Sequence, residues 1–115
     1  MTDEVDGAAE GCIEHAVIAR YRLPGDGFGE PGDRAVVRAA QNLLAEVIER
    51  AGVGELDGNE FGGGEVVLFS YGPDADALFA VMAPVLRDVP FRPASVVLRY
   101  GSASNPAAIE RRVDL

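Results

Sequence analysis

Lysine is missing from this chain of 115 residues, and all ten of its basic residues are arginine. That absence excludes a Walker A phosphate loop, a Schiff-base lysine and every Ser–Lys catalytic pair. Tryptophan is missing as well, and there is one cysteine and one histidine. Cys12 alone forms no internal disulfide, which suits a reducing cytosol. Cys12 and His15 do not make a metal centre: two ligands are too few for structural zinc, and a spacing of three on a strand turns side chains to opposite faces. Long apolar runs are also lacking. The longest spans residues 77–86, far short of the ~20 that a membrane span needs. The acidic, polar beginning of the chain is unlike a secretory signal, so a cytoplasmic protein with no membrane partner is expected.

Positive charge is scarce. Nineteen acids face ten bases, for a net charge of −9, which argues against a nucleic-acid partner because such affinity comes mostly from Lys and Arg neutralising phosphates. Asp3, Glu4, Asp6 and Glu10 hold part of that charge, and residues 1–11 show no periodicity, so they read as an acidic, mobile tail. The body, residues 12–115, is still acidic. What is present is the composition of one folded domain, 48% hydrophobic and 25% charged, with no room for a second core.

Residues 13–23 alternate as a strand does: Ile13, His15, Val17, Ala19, Tyr21 and Leu23 point one way, Glu14, Ala16, Ile18, Arg20 and Arg22 the other. Residues 24–32 hold four glycines and two prolines and read as a loop. Asp33 is expected to cap a helix whose apolar stripe is Val36, Ala40, Leu43, Leu44, Val47 and Ala51, with Gly52 ending it in a left-handed conformation. Residues 55–61 form a weak strand with a bulge at Asp57-Gly58, Gly62 to Gly64 a turn, and residues 65–71 a strand apolar on both faces and therefore central. Asp74 caps a second helix reaching about residue 87, in which Pro84 predicts a kink or a new start. Residues 95–100 are a further strand, and 109–115 alternate well enough for an extra C-terminal edge strand. The order β-α-β-β-α-β predicts an α+β, ferredoxin-like split βαβ domain. Its antiparallel sheet is expected in the order 4-1-3-2 with both helices on one face.

Phe61-Gly62, Gly64-Glu65, the run Tyr71-Gly72-Pro73-Asp74-Ala75-Asp76-Ala77-Leu78-Phe79, and Arg99-Tyr100-Gly101 together resemble a group of small, stand-alone bacterial proteins to which no activity is assigned. The resemblance covers roughly residues 14–115. Its motifs are a strand–turn–helix junction and a strand end, so it implies a bacterial, cytosolic, single-domain protein and no active site. An Arg-, Ala- and Gly-rich usage without lysine fits a GC-rich bacterial genome.

Few residue patterns carry chemistry. Asp57-Gly58-Asn59-Glu60 fails as a calcium loop, because Phe61 and Leu68 stand where oxygen ligands are needed. The glycines at 62–64 precede a strand and not a helix, and Asp74 and Asp76 would repel an anion from the second helix. No cofactor or metal is expected. Topology sets the start of the first strand, with His15, beside the ends of strands carrying Tyr71 and Tyr100. If all three share a face they form a candidate acid–base pocket, weighed against an aromatic cluster that closes one end of the core. The opposite face is expected to present Ala16, Ile18, Val66, Leu68 and Val97 ringed by Arg20, Arg22 and Arg99, which is how an interaction surface looks. RNA-binding versions of the fold put aromatics on that face; here they are expected on the covered one. A non-enzymatic interaction domain is therefore expected, with a second copy as the simplest partner and a basic protein as a variant. The alternative is a small-molecule binder or cofactor-free enzyme at the His15, Tyr71 and Tyr100 end.

Overall fold

The computed structural model describes residues 14–25, 30–102 and 104–115. The expected acidic tail and Cys12 lie outside the described residues. Strand β1 (His15–Arg22) leads to helix α1 (Pro31–Ala51), then to a hairpin of β2 (Glu55–Gly62) and β3 (Glu65–Gly72). Helix α2 (Ala75–Asp88), β4 (Ala94–Arg99) and β5 (Glu110–Asp114) follow. All five strands form one antiparallel sheet in the order β2-β3-β1-β4-β5. The expected four-strand order gains a fifth member: the terminal segment pairs with the outer edge of β4, Ser95 opposite Asp114 and Arg99 opposite Glu110. The helices pack on each other and on a single face of the sheet.

That face is the core. Strand β1 contributes Val17, Ala19 and Tyr21, β3 contributes Val66 and Leu68, and β4 contributes Val96 and Leu98, all at most 1% exposed. Above them α1 lays Val37, Leu44 and Ile48, and α2 lays Leu78, Met82 and Leu86. Burial of this apolar surface is the main stabilising term. Two hydroxyls cut into it, and that of Tyr21, fully enclosed, donates to the Leu86 carbonyl at 2.6 Å. The Ser70 hydroxyl, also enclosed, has no hydrogen-bond partner among the described residues, a cost a folded core seldom accepts.

The helices obey most of their sequence signals. Gly52 ends α1 at φ 68°, its amide donating to the Ile48 and Glu49 carbonyls. Asp74 caps α2 by accepting from the amides of Asp76 and Ala77. Two expectations need correction. Helix α1 starts at Pro31, inside the expected loop, because proline at the first helical position has its φ already set. Its N-cap is Glu30, and Asp33 accepts from the Glu30 amide at 3.4 Å, one arm of a capping box. The buried stripe is also rotated by one residue, leaving Val36 38% and Leu43 46% exposed. The doublets Val36-Val37, Leu43-Leu44 and Val47-Ile48 allow two neighbouring stripes, and packing against α2 and β2 selects between them. Helix α2 continues through Pro84 as one element.

The hairpin fixes what each face carries. Gly63 and Gly64, at φ 60° and 79°, form a two-residue turn of the type that matches strand twist, and Gly62 faces Glu65 across it. Beyond the bulge between Leu56 and Gly58, β3 ends at Gly72, directly beneath the Val53–Gly54 segment that leaves α1. A Cβ on Gly72 would overlap the Val53 carbonyl oxygen, and a Cβ on Gly54 the Tyr71 carbonyl oxygen. Gly72 thus faces the helices, and so, by strand alternation, do Ser70, Leu68 and Val66. This reverses the expected faces of β3: Val66 and Leu68 are core, while Val67, Phe69 and Tyr71 lie on the open side.

Gly72→Ala should lower the unfolding free energy by at least about 3 kcal/mol in urea titrations, because backbone and not a flexible side chain occupies the space. Tyr21→Phe should cost about 1 kcal/mol near neutral pH, by removing the hydroxyl donor to the Leu86 carbonyl and leaving it the longer bond from the Val89 amide. Burial raises the Tyr21 phenol well above its ordinary value. The folded chain therefore keeps that proton after the unfolded chain has lost it, and the stabilising contribution falls away above pH about 10. The gap between wild type and Tyr21→Phe should narrow as unfolding is measured from pH about 9 to 11.

Candidate functional site

Two regions of the structure gather chemically active side chains. At one end of the core, His15 begins β1 beside the N-terminus of α2. Its Nδ1 accepts from the Ala75 amide at 3.0 Å, so the ring proton sits on Nε2. Tyr100 stands edge-on to it, ring centroids 5.7 Å apart at 77°. The Tyr100 hydroxyl donates to Asp76 Oδ1 at 2.6 Å and accepts from Arg111 Nε at 3.2 Å, while Arg111 Nη2 lies 3.4 Å from the same Asp76 oxygen. The bond to Tyr100, with Asp76 beside it, holds the Arg111 guanidinium above its ordinary range.

Tyr71 is not part of this group. It pairs with Ala16 and Glu55 and occupies the other face of the sheet, so the expected trio of His15, Tyr71 and Tyr100 is reduced to two. Both remaining rings are engaged: the imidazole acceptor holds an otherwise free helix amide, and the phenol holds the carboxylate of the helix's first turn. The arrangement braces α2 against β4 and β5. Among the described residues no group of three or more His, Cys, Asp or Glu side chains is placed to hold a metal ion. No helix of the structure is long and apolar enough to cross a membrane.

The second region is the sheet face that no described helix or strand covers. Strand registers arrange it in rows. One row runs Glu55, Tyr71, Ala16, Arg99, Glu110; the next Gly58, Phe69, Ile18, Val97, Arg112; the third Glu60, Val67, Arg20, Ser95, Asp114. Ile18, Phe69, Tyr71 and Val97 are half-buried, and Ala16 and Val67 are tucked among longer neighbours at 5% and 7% exposure. Of the expected surface, Ile18, Arg20, Arg22, Val97 and Arg99 are present, and Val67 and Phe69 replace Val66 and Leu68. The expectation that aromatics avoid this face is overturned.

Charge on this face is polarised. Arg20, Arg22 and Arg112 line a cleft of about 420 Å3 floored by Ala94, Ser95 and Val97, with Glu65 on its wall. Arg20 pairs with Glu65 and Arg112 with Asp114, each at 3.2 Å, and Arg99 with Glu110 at 2.7 Å. The Arg20 and Arg112 pairs are largely exposed and hold their side chains weakly, whereas Arg99 is half-buried and also donates to the Ser102 and Asn105 carbonyls. At the opposite corner Glu14, Glu55 and Asp57 gather around Tyr71 and form no ion pair among the described residues; burial first, then Asp57 and Glu14, push its phenol up.

Arg111 and Arg112 were missed by sequence reasoning, and Asp76 was read only as an acid at the start of the second helix. The two arginines enter through the pairing of β5 with β4, for which the alternation of residues 109–115 was the available signal, while Asp76 enters from the first turn of α2 through its bond to Tyr100. A rival apolar surface lies outside the sheet, a cleft of about 180 Å3 between the helices lined by Val36, Leu43, Val85 and Val89. Compared with protein-family models, curated proteins and solved structures, the chain shows no match.

His15→Leu should destabilise the fold by about 1 kcal/mol, as loss of a helix cap does. His15→Asn, whose Oδ1 reaches where Nδ1 sat, should recover part of that loss. Urea unfolding of both variants checks this, and equal losses would show that the Ala75 bond contributes nothing.

Proposed function

We propose that this protein is a non-enzymatic interaction module whose working surface is the open face of its ferredoxin-like sheet, used most simply to bind a second copy. The observation that supports this reading is the face itself. Ile18, Phe69 and Val97 form a half-buried apolar row at its centre, charged residues ring it, and its two lateral edges are poor templates for further strands. Strand β2 carries a bulge, and β5 is short with four charged residues in its five. Edges guarded in this way turn association towards the face. An apolar centre inside a polar rim is the usual anatomy of a protein interface.

The end-pocket alternative, a small-molecule or catalytic site, has less support, because Tyr71 is on the wrong face and His15 and Tyr100 are committed to α2. A nucleic-acid partner also has little support. Phe69 and Tyr71 do lie on the open face, but carboxylates flank Tyr71, the chain carries −9 net charge, and the arginine-and-glycine aromatic motif of RNA-binding relatives of the fold is missing. A basic protein partner is a second reading, favoured by the Glu14, Glu55 and Asp57 corner, which forms no ion pair among the described residues.

Native mass spectrometry and sedimentation at protein concentrations up to about 200 μM should show a reversible dimer. Ile18→Asp, at the centre of the face, should weaken it by about tenfold or more, since desolvated central positions dominate interfaces. The variant should keep its circular dichroism. A dimer untouched by Ile18→Asp would move the surface elsewhere, first to the cleft between the helices.

A further inference from the structure

The open face is complementary to itself in one orientation and not in another. On the grid set by the strand registers, the acidic corner of Glu14, Glu55 and Asp57 lies diagonally across the Ile18–Phe69 pair from the cleft of Arg20, Arg22 and Arg112. Arg22 makes no side-chain hydrogen bond or ion pair among the described residues, so one cation of the cleft is free. A second copy stacked with its strands aligned, on a two-fold axis along β1, would set Glu55 over Glu110, Glu60 over Asp114 and Arg20 over its own copy. Each of those is a like-charge meeting, and such meetings select strongly against a packing.

Turning the copy until the axis runs perpendicular to the diagonal removes those meetings and leaves two on the axis, Arg99, already neutralised by Glu110, and Glu60 on the outer strand, each facing its own copy. Arg22 and Arg20 then come over Asp57 and Glu55 of the copy, and Arg112 over Glu14. The apolar pair Ile18 and Phe69 stays at the centre. Strands of the two sheets cross near a right angle, one of the two preferred ways for sheets to stack. Because the contact is isologous, each charge pair is made twice.

Resting on the reading that this face binds a second copy, we infer that the chain forms a two-fold dimer of orthogonally stacked sheets, the Glu14, Glu55 and Asp57 corner of each protomer seated in the arginine cleft of the other. Strands about 4.8 Å apart and residues about 3.4 Å apart give a face of roughly 600 Å2 per protomer. That is below the typical ~800 Å2 per partner, so the dimer is reversible and its affinity falls as salt rises.

The test exchanges charges between copies. Arg22→Glu and Asp57→Arg both alter exposed side chains, and circular dichroism confirms that each variant is folded. Alone, each should raise the dimer dissociation constant about tenfold or more in sedimentation. Mixed in equal amounts they should form a heterodimer, seen by mass, within about threefold of wild-type affinity, because every reversed charge then meets its opposite. A wild-type dimer that Ile18→Asp disrupts, but that the two variants leave unchanged or fail to restore on mixing, overturns this orientation while the face reading stands. A wild-type chain monomeric at about 200 μM in low salt overturns the dimer outright. Binding of an oligoarginine peptide by that monomer, lost in Asp57→Arg, would then assign the face to a basic partner.

Discussion

Where β3 ends, the backbones of Gly72 and the Val53–Gly54 segment pass so closely that neither has room for a Cβ. The rest of the molecule's two-sidedness depends on that crossing. With Gly72 held against the connection from α1, alternation sends Ser70, Leu68 and Val66 under the helices, and Val67, Phe69 and Tyr71 to the open side. A shift of one residue would exchange the two sets and place two aromatic rings in the core. The crossing therefore decides both what stabilises the domain and what the domain presents to others.

The same constraint separates bracing from binding among the polar groups. Because β1 pairs with β3 through His15 and Gly72, the imidazole comes to the first turn of α2, where a free amide needs an acceptor. Tyr100, Asp76 and Arg111 complete a linked set that ties β4 and β5 to the helix. These groups act on structure, and in the proposed reading recognition falls to the open face. There the arginines project from β1, β4 and β5, and most of the carboxylates without an ion pair among the described residues from β2.

Much of the architecture was legible because local signals agreed. The alternation in β1, with Arg20 and Arg22 on one side, fixed its faces unambiguously. Gly52, Asp74 and the glycines of the hairpin marked their turns, and antiparallel order put His15 level with Tyr71 and Tyr100. The errors in the faces of β3 and in the stripe of α1 share one cause. Strand β3 is apolar on both sides, and α1 carries paired apolar residues at three successive positions along its stripe, so period alone left two solutions in each. Tertiary contacts chose between them: the glycine crossing for β3, the neighbouring helix for α1. Asp33 was misread as the cap because Pro31 begins the helix two residues sooner.

The central claim, that recognition belongs to the open sheet face, is tested most directly by following backbone amide resonances through a dilution series. The account predicts concentration-dependent shifts clustered at Ile18, Phe69, Val97 and the ends of the acidic–cationic diagonal, with the outer surface of α1 unmoved. Shifts confined to Val36, Leu43 and their neighbours in the helix cleft would contradict it.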